Sequence, residues 1–296
     1  MSTSTRSTPV RQGLTLLEVI VVMTILALMV GMLLPAIQKV RSAAARMKGL
    51  NNLRQISLAT HSYANANQER LPYFPYRQPN LFVDSNPLVD VLLHINMYQN
   101  YAADSGQWGR YVGAIFQDPL DPSYAELPKV GGDTSFVASA LVFRKGMQLG
   151  MCCPDGSSST IGWTQQYANC SGVPFSSNHA EPCGIFFIKD PPWNGRPIYV
   201  SNRRHSFADR ECGDVYPVTT DGVTRPARDY YDVDHTLFQV APRAKDCSPN
   251  VPTAPHPAGL ACAMMDGSIR TLPGSISPSV FWALVTPNGD EVIGDW

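Results

Sequence analysis

Two hydrophobic patterns divide the chain. From Leu14 to Ile37 it reads LTLLEVIVVMTILALMVGMLLPAI, 24 residues in which Glu18 is the one charge. Apolar side chains stand on every side, the signature of a helix surrounded by lipid rather than laid on a core. Such a helix spans about 36 Å, enough to cross the hydrocarbon of a bilayer. Beyond it, Val40, Ala44, Met47, Leu50 and Leu53 recur at three- and four-residue steps among Lys39, Arg41, Arg46 and Lys48, and Ile56 and Leu58 carry the repeat to about Ala66. The spacing predicts that the helix continues as an amphipathic half packed on a globular body. Gly31 and Pro35 predict a kink or local melting within it.

After the helix, LPYFPYRQPN (Leu71 to Asn80) is a Pro- and aromatic-rich break. A second helix is predicted over Asn86 to Ala102, with Pro87 in its first turn and Leu88, Val91, Leu92, Ile95 and Tyr98 on one face; His94 among them reads as a packed histidine. Short strands are predicted at Ser135 to Phe143, Gly184 to Ile188 and Pro197 to Val200, separated by turn clusters. The fold class is α+β: a long N-terminal helix, transmembrane in its first half, packed on a mainly antiparallel β body with long loops. The expected organisation is a leader at 1–13, the helix at 14–66 and a globular domain at 67–296.

Composition changes this picture in two places. The formal net charge of -1 gives no field that would draw nucleic acid, and none is expected as a partner. The seven cysteines all lie beyond residue 150, without the paired spacing of a zinc site. In an exported body they serve as disulfides, at most three within the chain, with the pairing open. Adjacent Cys152 and Cys153 are not expected to bond each other, because the ring would be strained.

Glu18 separates a plain signal anchor from something more specific. A carboxylate in a membrane segment is costly and needs a partner or a task. A cut after Gly13 would leave a positive amine on Leu14, within helical reach of Glu18 in the same or a neighbouring chain. The stretch RQGLTLLEVIVVMTILALMVGMLLPAIQKVRSAAAR resembles the N-terminal signal of type IV pilins and type II secretion pseudopilins. The resemblance implies cleavage after Gly13 by prepilin peptidase, methylation of Leu14, subunit assembly through Glu18 and a helix-breaking Pro35. Leu14 departs from the Phe or Met usual at that position. It also implies a single-pass inner-membrane protein with its N-terminus inside, its body exported to the periplasm or cell surface, and other pilin-like subunits and membrane lipid as partners. Lys39, Arg41, Arg46 and Lys48 outnumber Arg6 and Arg11, so a positive-inside count points the other way.

The far end resembles a bacterial family that joins this N-terminal segment to a body of unknown function ending in His, nine residues, Asp-Gly. His256, Asp266 and Gly267 in HPAGLACAMMDGSIR match that motif, and QKVRSAAARMKGLNNLRQISLATHSYANAN, Cys153-Pro154-Asp155 and Thr220-Asp221-Gly222 look similar as well. The residues themselves read as a β-hairpin: an apolar run from Leu260 to Met265, an Asp-Gly tight primed turn, and alternation from Ser268 to Leu272. Small Ala261, Cys262 and Ala263 let that strand lie close under another layer. His256 is expected to bond a loop carbonyl or the Asp266 region and hold the start of the strand.

No nucleophile–base set, zinc-protease motif or phosphate-binding loop is present, so no enzyme and no cofactor are expected. His179 and Glu181 lack a second His at helical spacing. Asp229, Asp232 and Asp234 offer calcium-type oxygen donors, but without the turn glycine and closing Glu they read as a solvated acidic loop. The alternative function is a membrane-anchored binding module for carbohydrate or protein, using Trp108, Trp163 and Trp193. Burial of those rings would favour a scaffold.

Overall fold

The computed structural model describes residues 16–73, 91, 114–126, 134–139, 141–170, 237–247 and 251–288, with the backbone of four short strands between. The second helix lies outside the described residues apart from Val91, which is buried, and so do the strands expected at 184–188 and 197–200. The chain divides into two compact units, residues 1–45 and 46–296.

Helix α1 runs from Leu16 to Ala66, with Pro35 inside it. In the first unit its large apolar side chains from Leu16 to Ile37 are 44–78% exposed, and by length and composition the helix can cross a membrane. The local melting expected at Gly31 and Pro35 is absent: the helix is continuous there. The carbonyl that loses its donor to Pro35 is that of Gly31, four residues back. A Cβ at Gly31 would meet nothing within 4 Å, so the glycine is not needed there for space.

In the second unit the buried face of α1 differs from the expected stripe. It consists of Gly49, Asn52, Leu53, Ile56, Ser57, Ala59, Thr60 and Ala64. Val40, Ala44, Met47 and Leu58 are exposed and Leu50 is half-buried, leaving Leu53 and Ile56 as the shared positions. Hydrophobicity alone misplaced the face because all of it except Leu53 and Ile56 is small or polar, suited to close approach and hydrogen bonding.

The body is built on a five-stranded sheet in the order β11-β10-β2-β1-β5. Its strands are β1 (Phe136–Ser139), β2 (Ile161–Gln165), β5 (Ser206–Phe207), β10 (Leu260–Met264) and β11 (Ile269–Leu272). All neighbours are antiparallel except the β1–β5 edge, which is parallel. Three two-stranded ribbons accompany it: β3 (Asn169–Cys170) with β4 (Val173–Pro174), β6 (Val218–Thr220) with β7 (Val223–Arg225), and β8 (Gln239–Val240) with β9 (Thr253–Ala254). A 3-10 turn (Ala114–Phe116), a one-turn helix α2 (Ser123–Glu126) and helix α3 (Pro278–Val285) complete the described elements. Helix α3 begins at Ser277, whose hydroxyl accepts from Val280 N–H, with Pro278 at its start. Its Phe281 ring lies 5.7 Å from Phe238.

The three central strands are buried along their whole length. Trp163 on β2 faces Ala138 on β1 and Ala263 on β10 in register. Cross-strand partners point to the same side, so two alanines leave room for one indole. The indole N–H donates to the Thr60 hydroxyl at 3.0 Å, and that hydroxyl donates to the Ile56 carbonyl at 3.0 Å. The Phe143 ring packs 5.3 Å away.

A second buried link lies on the same face of β2. Gln165 donates to the Asp118 carboxylate and accepts from Ala261 N–H at 2.9 Å. Asp118 also accepts from Leu120 N–H at 2.9 Å. Asn52 of α1 donates to the Gln117 carbonyl at 3.0 Å, so the segment around Asp118 is held from the helix and from the sheet. Asp121 accepts from Ala168 N–H at 2.7 Å, Ser123 N–H at 2.9 Å and the Ser135 hydroxyl at 2.7 Å. Burial pushes the Asp118 carboxyl from 3.8 up to about 6 and raises Asp121 as well.

Two outcomes follow from this link. A carboxyl whose folded pKa is raised contributes stability that is present below 3.8 and lost as pH rises through about 6. Measured by denaturant unfolding against the non-titrating Asp118→Asn, the wild-type protein should lose on the order of 3 kcal/mol between acid and neutral pH. Gly49→Ala ordinarily favours a helix by about 1 kcal/mol. Here a Cβ would meet both Asp118 carboxylate oxygens at 2.9 Å, so the substitution should lower the unfolding midpoint instead.

Candidate functional site

Two regions carry the residues that the sequence singles out. The first is the start of α1. Glu18 lies in its first turn, at the head of the exposed apolar stretch. Gly13 and Leu14 lie outside the described residues, as do His94, His179, Glu181, Asp229, Asp232 and Asp234. Among the described residues no group of three or more His, Cys, Asp or Glu could hold a metal ion.

The second is the hairpin of β10 and β11. Its turn is not the two-residue primed turn expected from Asp-Gly. Gly267 alone of the pair has a left-handed backbone, at φ +86°. Gly267 N–H donates to the Met264 carbonyl at 3.0 Å, and Met264 N–H to the Ser268 carbonyl at 2.9 Å. That pattern is a three-residue loop of Met265, Asp266 and Gly267, with the glycine in the left-handed position. Asp266 Oδ1 closes it by accepting from Ser268 N–H at 2.8 Å.

The tip is tied to the segment that precedes β2. Met265 N–H donates to the Thr160 carbonyl at 2.9 Å and Asp266 N–H to the Ser157 carbonyl at 3.0 Å. Cys153-Pro154-Asp155 opens that same segment, with a turn from the Cys153 carbonyl to Gly156 N–H at 3.0 Å. Two motifs separated by more than a hundred residues in sequence thus form one surface of the body.

His256 does not reach Asp266 or a loop carbonyl. Its Nδ1 accepts from Ala258 N–H at 3.0 Å, and its carbonyl accepts from Gly259 N–H at 3.1 Å. It shapes the turn that delivers the chain into β10, where Gly259 sits at φ +118° against the Leu272 backbone. Burial, and then the nearby Arg46 charge, lower its pKa, which favours the neutral ring that the Nδ1 acceptor requires.

The aromatic binding surface is not supported at the ring that can be placed. Trp163 is buried in the core, while Trp108 and Trp193 lie outside the described residues. Of the cysteines, Cys170 and Cys247 are joined across 77 residues of sequence, beside Tyr167 and Ala244. Cys152, Cys153 and Cys262 are unbridged thiols, and Cys183 and Cys212 lie outside the described residues. Sequence reasoning missed Gly49, Asn52, Asp118, Asp121 and Gln165. A glycine and an asparagine inside an amphipathic helix were the signal available for the first two.

The hairpin generates its own outcome. Gly267→Val should destabilise the body by at least 1–2 kcal/mol, roughly the cost of a left-handed backbone at a residue with a Cβ. Space is not the reason, since the nearest atom to that Cβ is Ser57 Oγ at 3.9 Å. His256→Ala should lower the melting temperature at neutral pH without abolishing a reaction. A depressed folded pKa places the ring's contribution above 6.5, so the difference from wild type should narrow as pH falls below that value. Calorimetry across pH checks both variants.

Residues 9–34 match the family model described as the prokaryotic N-terminal methylation motif. Residues 38–103 match the model described as a protein of unknown function, DUF1559. No curated protein and no solved structure matches the chain. The chain therefore opens with a prepilin-type methylation motif on a long apolar helix and continues directly into a DUF1559 segment.

Proposed function

We propose that this chain is a pilin- or pseudopilin-like structural subunit without a catalytic role. Prepilin peptidase removes the leader at 1–13 and the new N-terminus at Leu14 is methylated. The first half of the 14–66 helix anchors the protein once through the inner membrane, with its N-terminus inside and the body at 67–296 exported. Other pilin-like subunits are its partners in a type IV pilus or a secretion-type filament. The observation that carries this reading is the methylation motif at residues 9–34, placed at the head of a helix whose apolar side chains are exposed.

Holding the Glu18 carboxylate among lipid-facing side chains costs several kcal/mol, and an amine on a neighbouring chain offsets that cost. The pairing fixes the axial offset between packed helices, which a plain anchor does not need.

Mass spectrometry of the membrane-extracted protein should find Leu14 as a methylated N-terminus, and Gly13→Val should leave the chain uncut. An intact Met1 in the wild-type protein would overturn the reading. Glu18→Ala should be cleaved normally but recovered far less with partner subunits in sheared surface fractions. Equal recovery would show that the carboxylate has no part in assembly.

A further inference from the structure

Cys152 and Cys153 are consecutive in sequence, yet their sulfurs lie 2.9 Å apart. Cys152 is buried and Cys153 half-buried. Among the described residues, no other cysteine is available to them. Cys170 and Cys247 are joined to each other. Cys262 is buried inside the sheet, with its sulfur 3.3 Å from the Thr164 hydroxyl.

The backbone around the pair is held on both sides. Upstream, Leu149 N–H donates to the Glu69 carbonyl at 2.7 Å and Leu71 N–H to the Met147 carbonyl at 2.9 Å. Downstream, the Cys153–Gly156 turn is followed by Ser159 Oγ, which donates to the Asp155 carbonyl at 2.8 Å, and by the two bonds to the hairpin tip. Asp155 N–H reaches the Pro287 carbonyl at 3.4 Å. The loop therefore presents the two thiols to each other from a braced frame.

We propose that Cys152 and Cys153 are a reversible redox site that closes to a vicinal disulfide when it meets a disulfide oxidant, a small molecule or a protein. A disulfide bond is about 2.05 Å long, so closure needs an approach of about 0.9 Å from the separation found. The strain that argues against such a bond decides its character. Adjacent Cα atoms stand about 3.8 Å apart, below the roughly 4.4–6.8 Å that disulfides prefer. A strained bridge is easier to reduce than a structural one, so the site cycles where Cys170–Cys247 stays closed.

The chemistry balances with one oxidant molecule. The hydrogen bond between the sulfurs lowers the pKa of Cys152 and raises that of Cys153, so the pair gives up its first proton more easily than its second. The thiolate attacks one sulfur of the oxidant, expels one thiolate and forms a mixed disulfide. The remaining thiol releases its proton and displaces the oxidant's second thiolate, leaving Cys152–Cys153 bonded. Two thiols are oxidised, one disulfide is reduced to two thiols, and two electrons pass between them. Closure also removes the S–H that Cys152 donates to the Leu149 carbonyl at 3.3 Å, so the loop that braces the hairpin senses the change.

The test uses the purified full-length protein in detergent and does not depend on export or filament assembly. The protein is equilibrated in glutathione buffers from fully oxidised to mildly reducing, alkylated, and mapped by peptide mass spectrometry. In oxidised buffer the peptide containing Cys152 and Cys153 should take no alkyl label and weigh less by the mass of two hydrogens. In mildly reducing buffer it should take two labels while Cys170 and Cys247 remain linked. Two labels in oxidised buffer, a persistent glutathione adduct, or a cross-link from either residue to Cys183 or Cys212 would overturn the proposal. So would a bridge as resistant to reduction as Cys170–Cys247.

Discussion

The body depends on one close fit: Trp163 lies between Ala138 and Ala263 in the sheet and beneath Thr60 of the helix. Burying an indole gains a large apolar contribution only if the polar N–H also finds a partner. Thr60 meets that need from within a helix, because its hydroxyl donates to the Ile56 carbonyl and accepts from the indole. The alanines on the flanking strands keep the sheet surface low where the ring is bulky. Leu53 and Ile56 join the same core from the helix. The register of three strands and the rotation of α1 about its axis are therefore fixed together.

The polar link through Gln165 works alongside this fit. Its amide carries a hydrogen-bond chain from Ala261 in β10 to Asp118, and Asp118 occupies the space left by Gly49. Asn52 ties the same segment to the helix. A buried carboxylate is costly to desolvate, and here nearly all of its stabilisation comes from neutral donors rather than a cation. The irregular segment from Ala114 to Asp121 is thus part of the core even though it contributes little regular structure.

The loop that precedes β2 joins the remaining features. It carries the Cys152–Cys153 contact, the Cys153–Gly156 turn and the carbonyls of Ser157 and Thr160 that hold the hairpin tip. Asp266 and Gly267 have a structural task there, one through its side-chain bond to Ser268 and the other through its left-handed backbone. His256 performs a related task one turn earlier, at the start of β10.

The long apolar helix, the α+β class, the hairpin at Leu260 to Leu272 and the candidate junction ahead of Glu18 are all legible along the chain. Each rests on local pattern: continuous hydrophobicity, alternation, a turn dipeptide, a charge out of place. Tertiary structure alone decided which face of α1 is buried, because that face is chosen by fit against Trp163 and Asp118 and not by hydrophobicity. It also decided the type of the hairpin turn, which depends on the residue count between strands whose register is set by β2. The roles of Gln165 and Asp118 and the approach of Cys152 to Cys153 were equally hidden. Each depends on partners, or on a braced loop, tens of residues away, and no short-range pattern encodes a distance of that kind.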